Sequence, residues 1–312
     1  MEALSGNSFY FDFEVRLMEF LQNALGERFI SFISFFSAFG EELLLILILG
    51  FVYWCYDKKF GIYVGTNVMI GIVLNPLVKN IFLRRRPYFD NPGIKCLRPV
   101  DTNSDIYDIA GQGFSFPSGH STNSVTSYGS LARYKKNKIL TTLAFILPLV
   151  VGFSRIVVGV HYPTDVLCGW LLGLAIIFIV PKILKKAGEK NRWIVFLFIF
   201  LFCCIGLFYC KTSDYFTGLG LMGGFFVSVE YEKKFVNFEE TRNPILCLTR
   251  VLGGGILYLA LNSLLKLPFN PDFLTSGTFL AGMVRLVRYG IVSFVCIGAY
   301  PYLFRFEKKL FK

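Results

Sequence analysis

Three short groups of polar residues stand out in this sequence because together they have the side chains needed to transfer a phosphoryl group. Lys79 and Arg86 are separated by six residues, Pro-Ser-Gly-His occupies residues 117–120, and the third group runs over residues 154–165. Phosphoryl transfer depends on neutralising three equatorial oxygens as charge is redistributed in the transition state. Lys79, Arg86 and Arg155 supply the positive charges for that task.

The remaining residues of these groups suit an anion cradle and a covalent nucleophile. Ser118 and Gly119 are predicted to precede a helix, whose positive end binds anions through backbone amides, and Gly119 permits close backbone approach. His161 can attack phosphorus when its other ring nitrogen is held by an acceptor, for which Asp165 has suitable spacing. His120 can then protonate the leaving oxygen and later activate water. The chain has only 2 histidines, and both lie in these groups.

Each group taken alone has an ordinary structural explanation. Lys79 is explained as a snorkelling side chain, Arg86 as a basic helix end before a breaker, and Ser118 as a helix cap. Asp165 is explained as a favourable anion in a first helical turn, a role compatible with holding His161. The combination of three groups favours a site. The neighbouring Arg84 and Arg85 could widen the positive field around the phosphate or anchor the helix at lipid headgroups. Anchoring is favoured, and neither residue is predicted to be catalytic.

The composition shows what kind of chain must position these residues. Of the 312 residues, 54% are hydrophobic, and the apolar residues occur in long blocks, which excludes an ordinary soluble protein. The net charge of +11 comes mostly from Lys and Arg at the ends of these blocks, so it indicates membrane topology before nucleic-acid binding. The 8 cysteines include no C-x-x-C pair and predict neither a disulfide framework nor a zinc site.

The apolar blocks predict an all-α, polytopic membrane bundle of about nine spans. Residues 9–25 predict a helix at the membrane surface, with a soluble amphipathic helix as the alternative. A first span is expected after the break at residues 40–42 and ends near residue 55, and Glu41 and Glu42 are placed at the membrane edge. The further spans are expected at residues 61–83, 116–134, 139–158, 164–180, 193–210, 215–229, 244–267 and 283–304.

Three regions follow from this pattern: an interfacial or re-entrant segment over residues 1–40, a membrane core over 41–210, and additional helices over 211–312. The short loops rich in Lys and Arg are expected in the cytoplasm, together with the C-terminus. The three polar groups would then meet on the opposite, extracytoplasmic face, whether periplasmic, extracellular or lumenal. The loop over residues 84–115 is an exception, because it has an Arg cluster although it is expected on the extracytoplasmic face. The proposed phosphate site explains that cluster.

The segments Lys79 to Pro87, Pro117 to His120 and Ser154 to Asp165 resemble the complete signature of the type 2 phosphatidic acid phosphatase family. By that resemblance His161 is the nucleophile, Asp165 its partner and His120 the general acid and base. Phosphate would be bound by Lys79, Arg86, Ser118, Gly119 and Arg155. The resemblance implies no metal or other cofactor. It also implies hydrolysis of a phosphomonoester or diphosphate through a phosphohistidine intermediate.

A membrane lipid is the expected substrate and the lipid bilayer the expected surroundings, with no nucleic-acid partner and the oligomeric state left open. Phosphatidic acid, phosphatidylglycerophosphate, undecaprenyl diphosphate and sphingoid phosphates all suit a site at a membrane boundary. The Gly-Glu-Glu stretch at residues 40–42, followed by Trp54 and Asp57, resembles the corresponding region of sphingosine 1-phosphate phosphatases. The arrangement of about nine spans with an outward-facing site is similar to that of glucose 6-phosphatase. A soluble sugar phosphate therefore stays an alternative, for which the loop could supply polar contacts from Asn91, Asn103, Asp105 and Gln112.

Two other classes of protein share parts of this pattern. Vanadium haloperoxidases have a similar site in which vanadate occupies the phosphate cradle, but they lack such an apolar envelope. A lipid transporter or scaffold could keep the anion pocket without hydrolysis, and the complete signature argues against that reading. Release of inorganic phosphate discriminates between a hydrolase and a binding protein.

Overall fold

The structure is a computed structural model that describes residues 5–310, without the side chains of residues 43 and 308–310. Within that range the chain is helical and contains no β-strand, only an isolated bridge between Asn7 and Arg84. The all-α fold class predicted from the sequence is confirmed. Phe311 and Lys312, where the predicted cytoplasmic C-terminus lies, are outside the described residues.

Fourteen α-helices are described, several of them separated only by short 3-10 or π turns. They are α1 (Asp12–Phe35), α2 (Glu42–Phe51), α3 (Lys58–Phe82), α4 (Pro87–Asp90), α5 (Ile109–Gln112), α6 (Gly119–Ser124), α7 (Ser130–Lys135), α8 (Lys138–Val157), α9 (Pro163–Cys203), α10 (Ser213–Tyr231), α11 (Pro244–Leu264), α12 (Pro271–Thr275), α13 (Phe279–Ser293) and α14 (Phe304–Leu310). The 3-10 turns are Phe36–Gly40, Cys204–Phe208 and Tyr300–Leu303, and the π turns are Val52–Tyr56, Val125–Gly129, Glu232–Val236 and Phe294–Ala299.

Five helical stretches in the described chain are long and apolar enough to cross a membrane, or six if the helices around residues 41–43 form one broken span. They are Lys58–Phe82, Lys138–Val157, Pro163–Phe208, Pro244–Leu264 and Phe279–Glu307. The predicted number of nine spans is not confirmed. Two predicted spans, residues 164–180 and 193–210, lie in one helical run, which breaks at Gly188 with a φ of 74°. The predicted span at 116–134 is a helical run of α6, a π turn and α7 with many hydroxyl side chains.

The described chain forms two compact units. The first extends to Leu44 and includes Leu74–Ile177, and the second includes Leu45–Val73 and the chain from Phe178 onward. The boundaries between the units fall inside α2, α3 and α9. The three predicted regions, 1–40, 41–210 and 211–312, stay a prediction.

The first unit is built on α8, against which α1 and the turn Phe36–Gly40 pack. Ile30 of α1 lies in an apolar cluster with Tyr88 and Val160, and Met18 lies in another with Ile94 and Tyr162. Side chains on the other faces of α1, including Phe13, Phe20 and Phe32, are exposed. The N-terminal helix therefore packs firmly within the unit and still presents apolar surface, as expected of a helix in contact with lipid.

The second unit contains a close pair of helices, α10 and α13. A Cβ atom at Gly224 would lie 2.3 Å from the carbonyl oxygen of Gly290, and one at Gly220 would lie 2.3 Å from that of Leu286. Small residues at these positions let the two backbones approach, the usual way for membrane helices to pack. Ion pairs join Lys58 to Glu232 and Arg250 to Glu307 in the same unit.

Candidate active site

The first polar group lies where α3 ends. Lys79 is in the last turn of α3, and Arg86 stands directly before α4; both are buried. Arg86 donates Nε and Nη2 to the carbonyl oxygen of Gln112, at 2.8 and 2.6 Å, and Nη1 to that of Val160, at 2.9 Å. Because Val160 precedes His161, Arg86 fixes the backbone beside the candidate nucleophile and also places a positive charge there.

The second group begins α6. Ser118 is its N-cap, with Oγ accepting from the backbone N–H of Ser121, while its own N–H donates to the carbonyl oxygen of Asp165 at 2.9 Å. A Cβ at Gly119 would meet, among the described residues, only the amide of Asn75, 3.5 Å away and in ordinary contact. Packing within the protein therefore does not require this glycine. Its absent side chain leaves space for close approach by a ligand.

His120 lies half-buried in the first turn of α6, with the N-terminal segment directly behind it. A Cβ at Gly40 would lie 2.9 Å from the carbonyl oxygen of His120 and 3.0 Å from its Cβ. A larger residue at position 40 would therefore displace His120. The turn Phe36–Gly40 is part of the support for the candidate acid and base.

Arg155 belongs to the third group and lies in the last turn of α8. Its Nη1 donates to Ser37 Oγ at 3.3 Å, and Ser37 in turn shares a hydrogen bond of 2.9 Å with Ser154. Its Nε is buried without a hydrogen-bond partner in the part of the chain that is described. A buried donor of this kind is costly to leave unpaired, and an oxygen of a bound phosphate would satisfy it.

His161 and Asp165 lie on either side of the start of α9. His161 Nδ1 is 3.5 Å from Asp165 Oδ2, at the limit of hydrogen-bond distance. Within residues 5–310 this Nδ1 atom makes no hydrogen bond. Asp165 Oδ2 also accepts from the backbone N–H of Tyr162 at 2.7 Å. The carboxylate faces Nδ1, so Nε2 is the ring nitrogen available for attack.

The surroundings of His161 favour its neutral form. Burial, followed by the positive charges of Arg86, Arg155 and Lys79 and by His120, lowers the pKa of His161 well below its ordinary value of 6.5. Burial penalises the charged imidazolium, and neighbouring cations add to that penalty. The imidazole of His161 is therefore neutral near neutral pH, with a nitrogen lone pair available.

Arg84 departs most clearly from the prediction made for it. Its side chain is 2% exposed, and its guanidinium pairs with Asp165 Oδ1 at 2.7 Å and with Glu14 Oε2 at 2.9 Å. The prediction that Arg84 anchors at headgroups is wrong, because the N-terminal helix covers it and supplies a second carboxylate. Arg85 remains partly exposed and pairs with Asp90.

Direct contacts tie the three polar groups together within the first unit. Arg86 binds the backbone before His161, and Ser118 binds the backbone of Asp165. Asn75, one turn before Lys79, donates to the carbonyl oxygen of Pro117 at 3.2 Å. Sequence reasoning missed Glu14, Ser37 and Gly40. Glu14 is one of four carboxylates in α1, so the sequence did not single it out, and Ser37 and Gly40 gave no signal either.

Comparison with known proteins agrees with this architecture. Residues 60–189 match the PAP2 superfamily, and residues 216–309 match the PAP2 superfamily phosphatase transmembrane extension. Phosphatidylglycerophosphatase B of Bacillus subtilis is 41% identical over 164 residues, covering 49% of this chain and 73% of the relative. The chain belongs to the PAP2 superfamily. The predictions that it is a phosphatase and a multi-pass membrane protein are confirmed.

Other relatives in the PAP2 superfamily are also phosphatases of lipids or isoprenoids. Undecaprenyl-diphosphatase of Sulfolobus acidocaldarius is 31% identical over 160 residues, 50% of this chain and 71% of the relative. Decaprenylphosphoryl-5-phosphoribose phosphatase of Mycobacterium tuberculosis is 29% identical over 184 residues, 57% of this chain and 93% of the relative. No solved structure matches the chain.

Proposed function

We propose that this PAP2 phosphatase hydrolyses a lipid phosphate or diphosphate through a phosphohistidine formed on His161. The observation that carries the proposal is the pair of unsatisfied groups in the buried site, Nδ1 of His161 and Nε of Arg155. They belong to the proposed nucleophile and to the proposed phosphate-binding set. A bound phosphate gives Nε of Arg155 a partner, and Asp165 Oδ2, 3.5 Å from Nδ1, gives His161 one as the ring becomes positive. A binding protein needs the cradle but has no need of His161 with a carboxylate beside Nδ1.

In the first step Nε2 of His161 attacks phosphorus in line and the P–O bond to the leaving group breaks. His120 gives its proton to the departing oxygen, which makes it a better leaving group. Asp165 accepts a hydrogen bond from Nδ1–H and stabilises the positive charge that develops on the ring. Lys79, Arg86, Arg155, Ser118 and the backbone at Gly119 hold the phosphoryl oxygens.

In the second step the deprotonated His120 takes a proton from water, and the resulting hydroxide attacks phosphorus. The N–P bond to His161 breaks and inorganic phosphate leaves. Both histidines return to their starting states, so the cycle balances without another reactant. No step requires a metal or other cofactor.

The loop over residues 84–115 supports a lipid more than a soluble sugar phosphate. Gln112 is fully buried, and its side chain holds the backbone at Val100 and Asp101. Asn91 is buried and donates to the carbonyl oxygen of Pro87 and to the hydroxyl of Tyr162. Two of the four polar residues suggested for sugar recognition therefore serve the loop itself, which leaves the exposed Asn103 and Asp105.

Phosphatidic acid, phosphatidylglycerophosphate, undecaprenyl diphosphate and sphingoid phosphates belong to the proposed substrate class. For this class we expect catalytic efficiency to rise with chain length, because remote apolar binding helps to position the reacting phosphate. The measurement compares kcat/KM for phosphates with one headgroup and different chains, in mixed micelles at fixed surface concentration. A flat profile, with a short sugar phosphate hydrolysed better than every lipid, would exclude the lipid assignment and leave the phosphohistidine mechanism intact.

The active site is proposed to face the extracytoplasmic side, with the C-terminus in the cytoplasm. In a background lacking the half-buried Cys96, Cys168, Cys204 and Cys247, Asn103→Cys should react with an impermeant maleimide on intact cells. Lys138→Cys, exposed at the start of α8 in a Lys-rich loop, should react only after lysis, because such loops stay in the cytoplasm. The reverse pattern of labelling would overturn the orientation.

A further inference from the structure

The Asp165 carboxylate contacts more than His161. Its Oδ1 accepts from Arg84 Nη1 at 2.7 Å, and its Oδ2 accepts from the backbone N–H of Tyr162 and faces His161. Arg84 and the backbone therefore fix the plane of the carboxylate. That plane decides how Oδ2 meets the imidazole.

Arg84 is itself held on every side. Its Nε donates to the carbonyl oxygen of Phe9 at 2.8 Å, Nη1 also donates to Thr164 Oγ1 at 2.8 Å, and Nη2 donates to Glu14 Oε2 at 2.9 Å. The rings of Phe9 and Tyr162 lie 4.9 and 4.0 Å from its Cζ atom. A rigid fork of this kind transmits the position of one carboxylate to another.

Glu14 completes the arrangement from the N-terminal helix and is 0% exposed. Its Oε1 accepts from the backbone N–H and the hydroxyl of Thr164, at 2.9 and 2.7 Å. Its Oε2 accepts from Arg84 and from the backbone N–H of Phe11. All four contacts come from donors, a pattern that a carboxylate satisfies and an amide does not. Glu14 lies outside both segments that match the superfamily.

The charges of this cluster explain what a second carboxylate contributes. Arg84 paired with Asp165 alone would make a neutral pair and weaken the field of Asp165 at His161. With Glu14 also bound to Arg84, the three side chains carry a net charge of −1 (−1 + 1 − 1). In a low-dielectric interior that charge favours the positive ring that forms during phosphoryl transfer.

We propose that Glu14 is a positioning residue of the catalytic centre, acting through Arg84 on the Asp165 carboxylate that orients His161. This inference rests on the proposed function. It gives the N-terminal helix a role in turnover that packing alone would not require. A buried ion pair is by itself weak grounds for a role in stability, so the test must separate positioning from folding.

The isosteric variant Glu14→Gln removes the charge at constant size. It should lower kcat by about 10- to 100-fold, the range typical of hydrogen-bonding partners that orient metal-bound histidines, with KM changed little. The matched control is Glu27→Gln. Glu27 lies in α1 beyond a break at Gly26, and its exposed carboxylate is 3.7 Å from Lys95. Glu27→Gln should behave as wild type, because an exposed pair contributes little.

The pH profile of kcat/KM provides the readout that a purely structural role would not change. The groups facing His161 are Lys79 of α3, Arg86, His120 of α6, Arg155 of α8 and Asp165 of α9, with Arg84 and Glu14 beyond Asp165. At low pH kcat/KM falls as His161 becomes protonated, and this fall is the acid limb of the profile. Removing a negative charge lowers the pKa of His161, so in Glu14→Gln the acid limb should move to lower pH. Arg84→Gln leaves a net charge of −2 and should move the limb to higher pH.

The double variant Glu14→Gln/Arg84→Gln restores a net charge of −1 and should return the limb toward its wild-type position. All variants are measured with one substrate, so that substrate ionisation cancels, and folding is checked by thermal unfolding. If Glu14→Gln fails to fold, the test is the comparison between Arg84→Gln and the double variant. Adding Glu14→Gln to Arg84→Gln should move the acid limb back to lower pH.

A limb that stays in place across the series, or a Glu14→Gln enzyme as active as Glu27→Gln, would overturn the positioning role. Wild-type protein without phosphate release would instead contradict the proposed function. The two failures are thus distinguishable.

Discussion

His161→Asn should lose turnover by at least about 10⁴-fold, because the variant has no ring nitrogen that can attack phosphorus. The loss should appear in kcat for aryl and alkyl phosphates alike, since every substrate must be attacked by His161 whatever its leaving group. Asn is smaller than His, and the site remains covered by Arg86, Val160 and Tyr162, so the fold should be kept. Inorganic phosphate release by purified enzyme is the measurement.

The control for His161→Asn is binding of inorganic phosphate as a competitive ligand. The variant retains Lys79, Arg86, Ser118 and Arg155, so phosphate should still protect it against thermal unfolding. Loss of both activity and protection would indicate a damaged cradle. Activity within tenfold of wild type, in a preparation free of wild-type enzyme, would contradict the assignment of the nucleophile.

His120→Gln should have an effect that depends on the leaving group. Alkyl phosphates need a proton on the departing oxygen and should be hydrolysed about 10²- to 10⁴-fold more slowly, whereas p-nitrophenyl phosphate needs little protonation in the first step. Attack of water also uses His120, so the phosphoenzyme should accumulate with the aryl substrate. We expect a burst of p-nitrophenol followed by a slow steady rate.

Rapid-mixing kinetics on both substrate types test this assignment. An equal loss for alkyl and aryl phosphates, with no burst, would remove His120 from both proton transfers. The variant keeps the backbone carbonyl that packs on Gly40, so the turn Phe36–Gly40 should be undisturbed. His120→Gln is therefore a test of chemistry more than of packing.

The eight proposed site residues could be chosen from the sequence because their proposed chemistry depends on residue type and on spacing along short segments. Arg155, His161 and Asp165 lie within one helix end and the start of the next, where local geometry is set by a few residues. Lys79 and the Pro-Ser-Gly-His segment stand at predicted helix ends. The structure joins these segments through Arg86 at Val160 and Ser118 at Asp165.

The support around the site could not be predicted in the same way. Arg84 is next to Arg85 in the sequence, and only burial separates their roles, with 2% and 34% of their side chains exposed. That burial depends on packing of the N-terminal helix, whose Glu14 is 70 residues away along the chain. From the sequence alone, an arginine at the end of a membrane helix is predicted to bind lipid headgroups, because its carboxylate partner lies in a distant segment of the chain.

Hydropathy also could not predict the number of membrane spans. The helical run from Pro163 to Phe208 contains two predicted spans, and its break depends on a positive φ at Gly188. A glycine at that position is compatible with a continuous helix or with a turn. The sequence could predict an apolar, helical chain without fixing where each helix bends.

The phosphohistidine is the central claim, and trapping it is the most direct test. Wild-type enzyme, His120→Gln and His161→Asn would be mixed with p-nitrophenyl phosphate labelled with ³²P, quenched within milliseconds in alkali and digested. The account predicts label on the peptide that contains His161, stable in alkali and lost in acid as expected of an N–P bond, more abundant in His120→Gln and absent from His161→Asn. Phosphate released at full rate with no label on that peptide, or with label on a serine that survives acid, would contradict it.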